Sequence, residues 1–504
     1  MLPTTQSPQI RRVGSRRPGE LDALLAIVPP AAGPEIFSSL PEAQRWQELN
    51  ARSTPRSGTL RSTVLANRHQ TLAVLGYMGA EASNFERLTL AGRLLKEAAP
   101  RNAATLGLAA LGPAPTAAAG ATAAALDALL TAALAQAFSL PNFRSSKRDE
   151  RHIRSISLLA GGDVDVRYAA ACSRGNNLAR WLTALPPNML DARSYHRAIS
   201  ELAREHGLAL RWLDERALKR LGANAFLAVS AGNAQATAGI AHLKYRPAPR
   251  KGTQAPDVAL VGKGILFDTG GINLKTHKSM LDMHTDMAGS AVALATLLAL
   301  AELRVPIAAD AWLAITENDI GPKAYRPQEV VRASNGVTIQ VIHTDAEGRM
   351  VLADTLALAS RTRPRFMIDF ATLTGACVYA LTERMSGVFA NYAALVPKLL
   401  AAGRSSGERV WSFPFDSDFD GELESKVADI VQCAVDGKGD HILATRFLSR
   451  FVPAEIPWAH VDLSSATRSG GLGYVNTDIT GFGVRFALDL ILKQNVLDGL
   501  ERAQ

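Results

Sequence analysis

A chain of 504 residues, 47% hydrophobic and 20% charged, is too long for one core and too apolar for a disordered polymer, so two or three globular domains are expected. Its net charge of +8 permits weak contact with nucleic acid. The basic residues are scattered, however, apart from Arg11, Arg12, Arg16, Arg17 and the run Arg144 to Arg148, with no zinc-finger spacing or RNP-type aromatic motif. Specific nucleic-acid binding is therefore the weaker reading. Cys172, Cys377 and Cys433 lie far apart and form no CxxC pair. That argues against a disulfide framework and fits a reducing, cytoplasmic compartment.

The N-terminal arginines are followed by no apolar h-region, so they read as a solvated tail and not as a secretory signal. Apolar runs such as Leu72 to Leu75 predict strands, and Ser83–Ala98 and Ala119–Phe138 predict helices. The most apolar segment, Ala117 to Phe138, is alanine-rich and contains Asp127 and Gln136. It has too few bulky side chains for a membrane span, and no membrane contact is expected. Residues 1–165 carry no chemical constellation and read as a smaller α/β domain for assembly or scaffolding.

Val166 to Leu185 reads as a connecting helix, stopped by Pro186 and Pro187. Residues 186–504 then form the larger domain. Strands are expected at Asp257–Val261, Ile307–Ile315, Val337–Ile342 and Phe366–Phe370, and helices at Asp286–Leu303 and Met350–Ser360. This alternation predicts an α/β fold with a mixed, largely parallel sheet flanked by helices. Ligands bind such sheets beyond the carboxyl ends of strands, and Lys263, Asp268 and Asp345 are expected just after strands.

Asp345 and Glu347 sit two residues apart, ahead of Arg349. Upstream, Asp268 and Asp286 alternate with Lys263 and Lys275. Acids gathered at one point repel one another and are costly to bury, so their assembly calls for cations. Two divalent metals would supply the charge, and oxygen-rich ligands suit Zn, Mn, Mg or Co. Lys263 could ligate only as the neutral amine, which requires its pKa to fall well below the usual ~10.4.

The ordered blocks Val261-Gly262-Lys263-Gly264, Phe267 to Gly271, Asn273-Leu274-Lys275, Asp286-Met287, Tyr325-Arg326-Pro327, Thr344 to Arg349 and Ala371 to Ala376 resemble the leucyl aminopeptidase (cytosol aminopeptidase) family. The likeness runs from about Asn177 to about Arg485. It implies that Lys263, Asp268, Asp286 and Glu347 hold one metal, and that Asp268, Asp345 and Glu347 hold the other, with Zn or Mn preferred. A water shared by two cations is acidic enough to attack a peptide carbonyl near neutral pH. The resemblance implies Lys275 as the electrophile, with its ammonium on the developing oxyanion. It also implies Arg349 as the holder of a bicarbonate ion that moves the proton, and Met283, Thr372 and Gly375 as the pocket for the first side chain. The expected activity is removal of N-terminal Leu or other bulky hydrophobic residues from peptides by a homo-hexamer. A dipeptidase, such as a Cys-Gly hydrolase, and a DNA-binding regulator with incidental peptidase activity are the competing readings.

Some positions depart from the family pattern. His343 stands where Asn is usual and Met350 where Leu is usual, and Thr276 to Ser279 lacks the proline that often follows the catalytic lysine. His343 is read either as an added hydrogen-bonding group or ligand or as a tolerated replacement. The sequence Gly403-Arg404-Ser405-Ser406-Gly407 matches GxSxG but follows a helical run, so it fails the strand-to-helix test for a nucleophile elbow and reads as a turn. His441 and His460 read as structural.

Overall fold

The structure is a computed structural model and describes residues 2–3, 7–13, 21–52, 54–112, 119–145, 153–248 and 255–501. The N-terminal region forms a six-stranded sheet from β1 (Gln9–Arg12), β2 (Ala23–Val28), β3 (Leu60–Val64), β4 (Leu72–Tyr77), β5 (Thr105–Ala110) and β6 (Ser155–Ala160), in the order β1-β6-β5-β2-β4-β3. All neighbours are parallel except β3 against β4. The β2 sequence, Ala-Leu-Leu-Ala-Ile-Val, is buried throughout, as a central parallel strand covered on both faces must be. Its alternate side chains split between two layers. Ala23, Leu25 and Ile27 meet the helices Asn84–Ala98 and Ala119–Gln136, while Leu24, Ala26 and Val28 meet Phe37 and Trp46.

Arg11 and Arg12 correct the expectation of a loose tail, because both lie in β1, hydrogen-bonded alongside β6. Arg12 pairs with Asp163 at 2.7 Å. Arg16, Arg17, Lys147 and Arg148 lie outside the described residues.

The larger region supplies β7 (Ala209–Asp214), β8 (Gly239–Tyr245), β9 (Val258–Asp268), β10 (Ala309–Asn318), β11 (Val330–Arg332), β12 (Thr338–Gln340), β13 (Phe366–Ala371), β14 (Ser386–Ala390), β15 (Val410–Ser412), β16 (Ile430–Val431) and β17 (Trp458–Asp462). Eight of them make one sheet, in the order β15-β14-β17-β13-β9-β10-β8-β7. Its centre, β17-β13-β9-β10, is parallel, and β8 and β14 run against it. Helices cover both faces, so the fold is the expected α/β type with a largely parallel central sheet. On one face lie Val166–Ala184, Ala288–Leu303 and Val484–Leu492, and on the other Asn224–Ser230, Glu347–Ser360 and Asp440–Ser449. The apolar helical stretch His277–Leu303 is long enough to cross a membrane, but 83% of its apolar window is buried in the fold.

Several element boundaries differ from expectation, among them the helix expected from Met350, which already starts at Glu347. Strand β9 does not stop at Val261 but runs to Asp268, because its β10 edge stays paired to the end, while its β13 edge is paired only through Gly262. Lys263 is therefore inside a strand, not after one. Asp286 caps a 3-10 turn, Met283–Thr285, ahead of the helix that starts at Ala288. The segment Val337 to Ile342 contributes only β12, which belongs to a separate small sheet, β11-β12-β16. The GxSxG segment is no turn, since Gly403 to Ser406 complete the helix Leu395–Ser406 and Gly407, at φ +78°, ends it.

One close approach governs this region. A Cβ on Gly262 of β9 would lie 2.5 Å from the Ser290 Cα, and one on Gly289 would run into the Phe370 carbonyl oxygen of β13. Helix Ala288–Leu303 thus rides directly on the strand backbone. We expect Gly289→Ala to lower the unfolding free energy by about 1–3 kcal/mol, because the atom it meets is backbone and cannot rotate aside. Denaturant unfolding checks this, and an unchanged midpoint would show that the helix is free to shift.

Candidate active site

Strand β9 carries Lys263 and Asp268 to the carboxyl end of the sheet centre. Along β9, Ala259, Val261 and Ile265 face the layer containing helix Glu347–Ser360, and Lys263 shares their parity. Gly348 makes room for it, since a Cβ there would sit 2.6 Å from the Lys263 Cε. This gives the glycine between Glu347 and Arg349 a steric reason.

Two ammonium groups hold four carboxylates together. Lys263 Nζ lies 2.8 Å from Asp286 Oδ2 and 2.9 Å from Glu347 Oε1, and donates to the Thr372 carbonyl at 3.0 Å. Lys275 Nζ lies 2.8 Å from Asp268 Oδ2 and 2.5 Å from Asp345 Oδ1. Asp286 Oδ1 also accepts from Thr372 Oγ1 at 2.6 Å, and Asp268 Oδ1 from the Gly270 amide and Asn318 Nδ2. Asp268, Asp286 and Glu347 are buried and present ligand atoms within 4.8 Å of one another.

The loops that bring these groups together are stapled by polar side chains. Thr344 Oγ1 donates to the Gly270 carbonyl and accepts from the Asn273 amide, while Asn273 Oδ1 accepts from the Thr344 amide. Asn318 Nδ2 and the Tyr325 hydroxyl both donate to the Thr344 carbonyl. Gln432 Oε1 accepts from the amides of Ile342 and His343, and its Nε2 donates to the Ala346 carbonyl. His343 uses Nδ1 to accept from the Asp345 amide at 3.2 Å.

The electrostatics show how the cluster strains its charges. Burial, with the Asp268 charge second, pushes the Glu347 carboxyl up to about 8 against the pull of Lys263. Burial likewise moves Asp286 up to about 6, opposed by Lys263 and reinforced by Asp268. Burial pulls the Lys263 ammonium down, but Asp286, Glu347 and Asp268 together outweigh it and hold its pKa above the ordinary lysine value. The fall expected for Lys263 depends on a dication beside it, and the three carboxylates that surround it here act in the opposite direction. Two ammoniums against four carboxylates leave an excess of negative charge. Glu347 Oε2, buried with no hydrogen-bond partner, is a ready lone-pair donor. The donor set therefore fits divalent cations.

All ten residues singled out from the sequence, namely Lys263, Asp268, Lys275, Met283, Asp286, Asp345, Glu347, Arg349, Thr372 and Gly375, line one cavity of about 780 Å³. Gly375 has open space where a Cβ would point. Arg349 is buried, and its Nη2 donates to both carboxylate oxygens of Asp440 at 2.8 Å. His460 pairs with Asp369 in the core, and His441 packs edge-on to Phe413.

The catalytic-domain signature of the cytosol aminopeptidase family matches residues 177–488. The chain belongs to the cytosol aminopeptidase family. A probable cytosol aminopeptidase of Stutzerimonas stutzeri is 42% identical over 337 residues, covering 65% of this chain and 67% of that protein. One from Parasynechococcus marenigrum is 37% identical over 428 residues, covering 83% and 85%. Among solved structures, a mutant of tomato leucine aminopeptidase superposes with a TM-score of 0.85 at 26% identity, covering 97% of each chain. The bottromycin maturation enzyme BotP in complex with Mn gives 0.77 at 29% identity, covering 95% of this chain and 100% of that one. This chain is a metal-dependent aminopeptidase, which hydrolyses the N-terminal residue from peptides.

Asn318, Gln432 and Asp440 escaped the sequence reading. Asn318 closes a strand and could have been noticed as a polar residue at the carboxyl end of β10. Gln432 and Asp440 lie more than eighty residues from their partners and carry no local motif.

The raised Glu347 carboxyl has a consequence for pH. The metal-free fold favours its neutral form, so that contribution to stability is complete below about 4.5 and is lost as pH rises through about 8. Across this window we expect the metal-free wild type to lose melting temperature relative to metal-free Glu347→Gln. A difference that stays constant with pH would show that Glu347 is not the strained group.

Proposed function

We propose that two divalent ions, Mn or Zn, occupy this cluster, with Lys263, Asp268, Asp286 and Glu347 around one and Asp268, Asp345 and Glu347 around the other. When bound, such ions acidify a shared water and polarise the scissile carbonyl. The observation that carries the reading is the convergence of four carboxylates and two lysines on one wall of the cavity, with an unpartnered buried oxygen on Glu347.

The chain's own groups have separable roles in this reading. Lys275 stays protonated, because the pull of Asp268, Glu347 and Asp345 exceeds the effect of burial on its ammonium. It is suited to stabilise the oxyanion that develops at the carbonyl. Arg349 cannot act as a base and holds an anion that can. Met283, Thr372 and Gly375 receive the first side chain, and the space beside Gly375 favours Leu and other bulky apolar residues. Methionine adapts to varied apolar shapes.

The proposal extends to organisation. Residues 1–165 act as an assembly domain, 166–185 as a connecting helix and 186–504 as the catalytic domain, in a homo-hexamer suggested by the family resemblance. Three free, buried cysteines suit a cytoplasmic setting.

Release of the N-terminal residue from a Leu-peptide, by protein stripped of metal and then resupplied with Mn or Zn, tests the reading. We expect metal-dependent turnover that falls about 10²–10³-fold in Lys275→Ala, the scale of losing one oxyanion donor. Metal content measured on the same samples should stay constant. Full activity in Lys275→Ala, or none with any metal in folded protein, overturns it.

A further inference from the structure

Peptide hydrolysis needs a proton carrier besides the groups that activate water. The water oxygen bonds to the carbonyl carbon, the C–N bond breaks, and a proton given up by the water must end on the departing nitrogen. The four cluster carboxylates are committed to Lys263, Lys275 and the ions proposed above. The remaining described carboxylates on the cavity wall are Glu383, Asp436, Asp440 and Asp462. Asp462 is fully engaged, accepting from the Leu373 and Thr374 amides on Oδ1 and from the Thr374 hydroxyl on Oδ2. Glu383 and Asp436 are exposed. Asp440 differs from all three. It is half-buried, it opens the helix Asp440–Ser449, and both its oxygens are held by the buried Arg349 guanidinium.

Arg349 is itself fixed. It lies in the first turn of helix Glu347–Ser360, two residues beyond Glu347, and its Nη1 donates to the Gln432 carbonyl at 3.3 Å. The same guanidinium therefore ties Asp440 to the helix turn that carries Glu347. The family resemblance places a bicarbonate ion on this arginine. Here Asp440, a carboxylate of the chain itself, already occupies its Nη2.

We infer that Asp440, seated on Arg349, is the proton carrier of this enzyme and takes the part of a free anion. This rests on the aminopeptidase reading of the cavity. In the forward reaction Asp440 accepts the proton released by the attacking water. It then delivers that proton to the leaving amine as the C–N bond breaks, returning to the carboxylate. No external acid, base or bicarbonate enters the balance.

The test uses full-length, metal-loaded protein on a Leu-peptide in carbonate-free buffer, with and without added bicarbonate or formate. Wild type should turn over equally in all three conditions. Asp440→Ala should lose about 10²-fold or more in kcat, the usual scale for a general base, with metal content unchanged. Formate or bicarbonate should restore part of that loss, because the truncation leaves room beside Arg349. Asp440→Asn, which fills the space but cannot carry a proton, should be as slow and resist rescue. This variant also serves if Asp440→Ala fails to fold. Wild-type kcat in either folded variant, or wild-type activity that requires bicarbonate, overturns the assignment. So does an Asp440→Ala loss that no small anion relieves, since that marks a purely structural role. Failure of the aminopeptidase reading would look different, as wild type would show no metal-dependent turnover at all.

Discussion

Asp268, Asp286 and Glu347 keep their ligand oxygens within 4.8 Å of one another in the protein interior, and Asp345 stands close by on Lys275. Like charges so placed repel strongly in a low-dielectric setting. The molecule answers with two buried or half-buried ammoniums and with neutral donors from Thr372, Asn318 and the Gly270 amide. These lower the cost without cancelling the charge. The remaining imbalance suits the site to divalent cations, and the surrounding architecture is the means of keeping it assembled.

That means is largely backbone geometry. Strand β9 sits between β13 and β10, paired on both edges through Gly262 and held by β10 beyond it, so the strand backbone that carries Lys263 and Asp268 is fixed. Glycines at 262, 289 and 348 let a helix and a lysine approach closer than any Cβ would allow. Thr344 and Asn273 lock the two acidic loops by reciprocal hydrogen bonds. Farther away, buried Arg485 donates to Thr131 and Asp127 of the N-terminal region and to the Ser406 carbonyl. The N-terminal sheet is thereby tied to the catalytic half through a buried cation, whose loss would leave uncompensated groups on both sides.

The contrast between residues found from the sequence and residues missed follows a physical line. Lys263, Asp268, Lys275, Asp286, Asp345, Glu347 and Arg349 belong to short blocks whose glycines and charges are unusual together, and charge density of that kind needs an explanation wherever it occurs. Asn318, Gln432 and Asp440 are ordinary polar residues in their local sequence. They matter because folding sets each against a partner far along the chain. The misplaced boundaries have a similar origin. Periodicity marks where apolar residues alternate, but it does not show how far a strand stays paired, and β9 stays paired for several residues beyond Val261.

The sequence by itself determined the α/β alternation, the family and the charged residues that meet in one cavity, because these depend on residue identity and spacing within short segments. Tertiary structure alone decided that Lys263 lies inside a strand, that Glu347 keeps an unpartnered oxygen, and that Asp440 is the anion on Arg349. Each of these depends on contacts between segments tens of residues apart. Such contacts are fixed by packing and by the pairing of buried charge, which no local pattern encodes.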